Sequence, residues 1–332
     1  MWTTRLTPAQ ADQVLALAER ATAADGTAPL NEAAHLALRD DSAEHLWALE
    51  GTDVVGYLQW EPGYRTAQLV VDPAHRRRGH GRWLLGRLAN ALRDARSSLA
   101  GSSGTEGGIS SSLAGSSETE GGINSSLAGS SGTEATQWGV WAFGDLPAAR
   151  GLAASLGLSA SRGLLVMERP LDTPVTSPPA DGLRLRGFRP GDEAAFLAVN
   201  AAAFASHPEQ GALDDAGLAA RMAEPWFDPT GLILGFDQDG LAGFHWTKLV
   251  DGVGEVYVIG VAPRAQGRGY GRVLLQSGLA FLAARGAARV RLYVDMAEPV
   301  AVRMYESAGF HVAYRDVLYA PEHGSVQKQE RS

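Results

Sequence analysis

Cysteine is absent from the 332 residues. That excludes a disulfide framework, cysteine-ligated zinc and any cysteinyl acyl-enzyme. Lysine is nearly absent too: of 29 basic residues, only Lys248 and Lys328 are lysine and the rest are arginine. With the abundant alanine, this bias points to a GC-rich genome and carries no functional meaning. No apolar run reaches 18 residues, so no membrane association is expected. The start, Met1-Trp2-Thr3-Thr4-Arg5-Leu6-Thr7-Pro8, lacks a signal-peptide core, and cytoplasmic residence is the simplest expectation. Positive charge is in deficit: the net charge of −8 argues against a protein that binds nucleic acid by neutralising phosphates. The eight histidines are scattered without an H-E-x-x-H pair, so no metal is expected. What remains is a soluble composition, 45% hydrophobic and 20% charged, at a length that fits two domains.

Two regularities organise the chain. Ser97-Ser98-Leu99-Ala100-Gly101-Ser102-Ser103 returns at Ser111 and Ser125, a period of 14. This segment, 97–134, is mostly Gly, Ser, Thr and Glu and holds too little apolar surface to offset chain entropy. It reads as a disordered insert rather than a β-solenoid. The second regularity is an internal duplication. Residues 69–85 align without gaps to 259–275, with eight of 17 pairs identical. The chain is therefore one domain twice, a tandem repeat with its join in the proline-rich stretch 170–179, where helix and central strand are both disfavoured. The boundaries expected are 1–170, a linker at 171–182, 183–320 and a flexible tail at 321–332.

Each copy reads alike. A helix (7–24; 190–204) leads through a hairpin to an apolar strand (66–71; 255–261), a glycine-rich turn and a long helix (81–95; 271–285). A last strand (137–143; 288–295) and a short helix (147–155; 300–307) follow, which makes an α/β or α+β domain. The turns are Arg76-Arg77-Arg78-Gly79-His80-Gly81 and Gln266-Gly267-Arg268-Gly269-Tyr270-Gly271. A strand–turn–helix junction aims backbone N–H groups and a helix dipole at one point, which suits a phosphate or pyrophosphate. The dinucleotide fingerprint lacks its third glycine, and no G-K-[ST] marks a P-loop.

R/Q-x-x-G-x-G after a strand and before a helix resembles the acetyl-CoA signature of the GNAT superfamily of N-acetyltransferases. Tyr305-Glu306-Ser307-Ala308-Gly309-Phe310 is similar to the motif that closes that domain. The two-domain arrangement, with Ser206-His207-Pro208-Glu209-Gln210-Gly211, Phe244-His245-Trp246-Thr247-Lys248 and Gly254-Glu255-Val256-Tyr257-Val258-Ile259-Gly260-Val261, resembles the mycothiol synthase family. The resemblance spans the chain except the insert. It implies, for each copy, a mixed and mainly antiparallel sheet flanked by helices. It also implies transfer of acetyl from acetyl-CoA to the cysteinyl amine of a glucosamine–inositol precursor, in a monomer needing no metal.

The resemblance assigns roles residue by residue. Glu255 is the implied general base and a substrate contact, and Tyr305 the general acid for the leaving thiolate. Read alone, Glu255 is more simply a solvated strand residue, and Tyr305 fits a core aromatic as well as a general acid. Period-2 alternation puts Glu255, Tyr257 and Ile259 on one face. Glu209, Lys248, Tyr293 and, from the first copy, Glu32 are implied substrate contacts. Ile259, Gly260 and Val261, the turn Gln266, Gly267, Arg268, Gly269, Tyr270, Gly271 with Arg272, and Glu298 and Arg303 are the implied cofactor contacts. Glu298 stands where the family has an asparagine, and a carboxylate cannot donate as an amide does.

The first copy keeps the implied cofactor residues Leu69, Val70, Val71, Arg77, Arg78, Gly79, His80, Gly81 and Arg82. At a constant offset of 190, Arg65 replaces Glu255; with Ser155-Leu156-Gly157-Leu158 set against Ser307-Ala308-Gly309-Phe310, the window matching Tyr305 holds Leu152 and Ala153. That copy is expected to hold acetyl-CoA without turnover. A GNAT enzyme for another amine or protein N-terminus, and a non-catalytic acetyl-CoA-binding protein, stay open as alternatives.

Overall fold

The computed structural model describes residues 2–39, 41–102, 138–173, 175, 181–205 and 213–322. Most of the repeat segment, Glu209, and the tail beyond 322 lie outside the described residues. The chain divides into two compact units. Among the described residues, the first holds 2–102, 138–161 and 317–322, and the second lies within 162–316. The division does not fall at the proline-rich stretch, because a strand belongs where its backbone hydrogen bonds go.

In the first unit, α1 (Pro8–Asp25) opens with a Thr7–Gln10 capping box. Asn31 caps the short α2 (Glu32–Leu36). Strands β1 (Glu44–Glu50), β2 (Asp53–Glu61) and β3 (Thr66–Val71) form an antiparallel meander. After α3 (His80–Ser102), β4 (Gly139–Ala142) runs parallel to β3, and α4 (Pro147–Ser155) follows. The chain's final strand, β11 (His311–Pro321), completes the order β1-β2-β3-β4-β11, its Val317–Tyr319 pairing with β4. From α1, Val14, Leu17, Ala18 and Ala21 pack near Tyr57 and Val70. From α3, Leu84, Leu85 and Leu88 join Leu46, Leu58 and Trp60. Helix α3 runs to Ser102, beyond the end expected at 95 and into the first repeat, since neither proline nor glycine stands between Ala95 and Gly101.

In the second unit, β5 (Leu158–Pro170) contributes Leu164–Pro170, antiparallel to β10 (Arg289–Asp295). Between them in sequence lie β6 (Arg184–Gly187), α5 (Glu193–Ala203), α6 (Asp215–Met222), β7 (Leu232–Asp237), β8 (Gly240–Val250), β9 (Val253–Val261) and α7 (Tyr270–Ala284). Helix α8 (Pro299–Ser307) follows β10. The order is β5-β10-β9-β8-β7-β6, and only β9–β10 is parallel. Phe196 of α5 meets Phe244 and Trp246 of β8 at 4.6 and 5.7 Å between ring centres. Helix α7 buries Leu274, Leu275, Leu279 and Leu282 completely, each worth about 1.5–3 kcal/mol. Both units are thus mixed, mainly antiparallel sheets with helices. No helix among the described residues is long and apolar enough to cross a membrane.

Candidate active site

The glycine-rich turn of the second unit joins β9 to α7. Gly267 and Gly269 have φ of +76° and +80°, backbone that a side chain would strain. A Cβ on either would meet nothing within 4 Å, so the surface there is open. Gly269 caps α7 without any side-chain hydrogen bond; Arg272 N–H donates to the Gly269 carbonyl (3.1 Å), which leaves the Tyr270 and Gly271 N–H groups to an external acceptor. Gln266 donates to the Val261 carbonyl (3.2 Å) and braces the turn. Arg268, exposed, lies 3.7 Å from Asp237, whose carboxyl the hydrogen bond from Arg264 holds below the usual range. Tyr270 is buried, its hydroxyl 3.5 Å from the Gly182 carbonyl, while Arg272 is exposed.

Strand β9 is irregular where the chemistry is expected. Trp246 pairs with Val258 and Thr247 with Val256, so Tyr257 is an extra residue, a β-bulge. The bulge overturns the expected common face of Glu255, Tyr257 and Ile259. Ile259 stands opposite His245, whose imidazole reaches the Leu274 carbonyl of α7 at 3.0 Å. Glu255 stands opposite Lys248, on the other face. A single inserted residue switches the parity of every side chain beyond it. Pairing of β10 with β9 stops at Arg291–Glu255. From Val256 through Ile259, Gly260 and Val261, β9 is paired only with β8.

The register places four charged residues side by side on one face: Lys248 of β8, Glu255 of β9, Arg291 of β10 and Glu168 of β5. Arg291 donates to Glu168 Oε1 from Nε (2.8 Å) and Nη2 (2.6 Å). Against the cost of burial, the hydrogen bond that Arg291 donates to Glu168 leads the effects that keep it firmly charged. Tyr293, two residues along β10 from Arg291, has its phenol pushed up by burial and then by the Glu255 carboxylate. Lys248 is buried, its Nζ 5.0 Å from the Trp226 ring centre and 5.6 Å from that of Tyr257. Arg291, Glu168 and Trp226 were not foreseen. Finding the first two required knowing that β5 pairs with β10, which no local pattern reveals.

Tyr305 of α8 is buried, edge-on to Phe310 at 5.9 Å, and burial pushes its phenol up. Its helix lies against the turn, since a Cβ on Gly271 would sit 3.5 Å from Met304 Sδ. Glu298 is the N-cap of α8 and makes no side-chain capping bond, and Arg303 is exposed. Among the described residues, no cluster of three or more His, Asp or Glu could hold a metal.

The first unit repeats this frame with different groups. Its β2–β3 ladder runs unbroken from Gly56–Val71 to Glu61–Thr66, without a bulge. Thr66, not Arg65, therefore occupies the position of Glu255, and Glu61 that of Lys248. The constant offset failed because it ignored the extra residue in β9. A Cβ on Gly81 would sit 3.0 Å from Leu152, as Gly271 meets Met304, so Ala153 takes the place of Tyr305. Arg77 holds φ +65° where the second unit has Gly267. Glu50 accepts from Arg78 (3.1 Å) and contacts His80 Nε2 (2.8 Å), and the His80 bond holds its carboxyl below the usual range. Gly79 begins the turn into α3 at φ +94°, Arg82 is exposed, Val70 is buried, and Leu69 and Val71 are half-buried. Glu32, exposed, is the first residue of α2.

Residues 201–310 match the Acetyltransferase (GNAT) family, and residues 42–107 the Acetyltransferase (GNAT) domain. Mycothiol acetyltransferase of Thermomonospora curvata is 46% identical over 95% of this chain and 94% of its own. That of Thermobispora bispora is 43% identical over 95% and 97%. The chain belongs to the mycothiol acetyltransferase family. It is thereby a GNAT acyltransferase. The fold agrees: a GCN5-related N-acetyltransferase from Sphaerobacter thermophilus superposes with a TM-score of 0.68 at 24% identity, covering 97% of this chain and 95% of that one. A tandem GNAT protein from the clavulanic acid biosynthesis pathway gives 0.62 at 18% identity, with 96% of each covered. GNAT acetyltransferases use acetyl-CoA, and the uncapped, sterically open turn of this mycothiol acetyltransferase family member suits its pyrophosphate.

Proposed function

We propose that the chain transfers the acetyl group of acetyl-CoA to the cysteinyl amine of the desacetyl-mycothiol precursor, the last step of mycothiol biosynthesis. The observation that carries this reading is that Glu255 is the last residue of β9 paired with β10, where β10 departs. There a carboxylate can take a proton from the acceptor's ammonium. The amine nitrogen then forms its bond to the acetyl carbon, and the carbon–sulfur bond breaks. Tyr305, kept protonated by burial, is the proposed donor to the departing thiolate. Backbone N–H groups of Ile259–Val261 are proposed to polarise the carbonyl, as β9 has left β10 there. The α7 turn would hold the pyrophosphate, with Arg268, Arg272, Glu298 and Arg303 around it.

Lys248, Tyr293, Glu209 and Glu32 are proposed acceptor contacts. The acceptor's hydroxyls suit charged and phenolic partners of this kind. The first unit, with Thr66 and Ala153 at the two chemical positions, is proposed to hold acetyl-CoA without turning it over. Thiol release from acetyl-CoA, followed with the desacetyl precursor and a panel of simple amines, tests the reading. The expected kcat/KM for the precursor exceeds that for glucosamine, spermidine and an alanyl peptide by at least about 10²-fold. Equal rates across the panel would assign a broader amine acetyltransferase. Acetyl-CoA binding without thiol release would assign a non-catalytic protein.

A further inference from the structure

Lys248 is one of two lysines in the chain, and its side chain is 9% exposed. A buried ammonium keeps its position only where the surroundings compensate for lost hydration. Two aromatic faces are at hand. Trp226 lies in the loop after α6, and Tyr257 is the bulge residue of β9; their ring centres are 4.8 Å apart. Lys248 Nζ is 5.0 and 5.6 Å from the two rings, within cation–π range of both. Trp246, buried in the core, backs the pair at 6.1 Å from Trp226 and 5.4 Å from Tyr257. The bulge therefore has a second consequence: it turns an extra aromatic side chain onto the face of Glu255 and Lys248.

We propose that Trp226 is a positioning residue, which with Tyr257 clamps the Lys248 ammonium beside Glu255 and so sets recognition of the acceptor. The inference rests on the acceptor-side role proposed for Lys248. The first unit has no equivalent clamp, since it lacks the bulge and carries Glu61 where the second carries Lys248. Trp226 touches neither cofactor nor reacting atoms in this account. It acts through the lysine.

The scarcity of lysine makes a direct test possible. In protein labelled with ¹³C at lysine, only Lys248 and Lys328 give side-chain signals. The Lys248 ε-methylene is expected upfield, shifted by the aromatic rings, and Lys328 is the internal reference. In Trp226→Leu that upfield shift falls sharply, and in Trp226→Phe, which keeps an aromatic face, most of it returns. In steady-state assays Trp226→Leu is expected to raise the acceptor KM by about 5- to 30-fold, the range of a desolvated cation–π contact. The KM for acetyl-CoA is expected to stay within about twofold, and Trp226→Phe to recover most of the loss. A Lys248 signal unshifted in the parent chain, or unmoved by Trp226→Leu, overturns the clamp. A moved signal with an unchanged acceptor KM keeps the clamp and rejects the role of Lys248 in recognition. Equal rises in both KM values would make Trp226 merely structural.

Discussion

Replacing Glu255 by glutamine removes one charge and almost no volume, so it tests the carboxylate without opening a cavity. Glu255 sits between Lys248 and Arg291 in a row of alternating charge that ends at Glu168. Without it, Arg291 keeps its bonds to Glu168, while Lys248 loses its neighbouring anion. Removing one member of a half-buried set of this kind should cost about 1–2 kcal/mol, below the full penalty for a sealed ion pair. That corresponds to a fall of about 2–8 °C in Tm. The catalytic loss should be larger in kind: about 10²-fold or more in kcat/KM at pH 7, or about 3 kcal/mol of transition-state stabilisation. A third readout lies next door. The Glu255 charge helps to hold the Tyr293 phenol up, so Glu255→Gln should bring that phenol down, as followed by ultraviolet titration. The decisive measurement is the pH profile. A lost base matters less as the acceptor amine deprotonates on its own, so the gap between variant and parent should narrow as pH rises. Near-parental turnover at neutral pH would refute the assignment. A deficit that stays constant with pH would show that Glu255 binds the acceptor and does not deprotonate it.

Much of the fold was legible because it rests on local rules. The first helix near Thr7, the apolar strand ahead of each glycine turn and the long helix after it all follow from residue spacing. The two-fold repetition was legible from identities at a fixed offset. Three things were not. Neither β5 nor β11 was anticipated, and their partners, β10 and β4, are remote in sequence and carry no local mark. The end of α3 was placed too early because composition took precedence over helix propensity. The bulge was missed because alternation assumes an unbroken ladder, and that one assumption misplaced both the face of Ile259 and the counterpart of Glu255.

That third failure shows how two copies of one domain can diverge. The units share the same strand order around the turn, but the parallel neighbour pairs through Gln68–Trp141 in one and only as far as Glu255–Arg291 in the other, so it departs earlier in the second unit. They differ by one residue in the central strand. Tyr257 adds local twist, re-aims the strand, and separates the parity of Glu255 from that of Ile259. In the first unit the regular ladder puts Thr66 opposite Glu61, so that its carboxylate lies one strand away from the position of Glu255. A general base cannot be shifted by a strand spacing and still reach the same nitrogen. The difference between a catalytic unit and a non-catalytic one is thus proposed to lie in backbone register as much as in side-chain identity.

Tyr305→Phe should lower kcat with little change in acetyl-CoA affinity by calorimetry; a large loss of affinity would mark the ring as purely structural. The buried His245 makes a separate prediction about pH and stability. Its Nδ1 faces the Leu274 carbonyl at 3.0 Å, and burial brings its pKa from 6.5 down to about 4 despite that bond. Between pH 4 and 6.5 the unfolded chain takes up a proton that the folded chain refuses, so stability must rise with pH across this window. The full contribution is about 3 kcal/mol, complete above pH 6.5 and lost as pH falls to 4. Urea midpoints at pH 5 and pH 7 measure it, and His245→Asn, which cannot be protonated, should flatten the difference. An undiminished difference in that variant would move the effect to His35, the other imidazole that burial holds below its usual value. Asp237 and Asp192, both held low by arginine hydrogen bonds, lose their stabilisation only as pH falls through their depressed values, below the histidine window. The aspartates thus separate from the histidine window along the pH axis; within it His35, also lowered by burial, adds to the slope and Glu61, raised by burial, opposes it, so the change on His245→Asn isolates the share of His245.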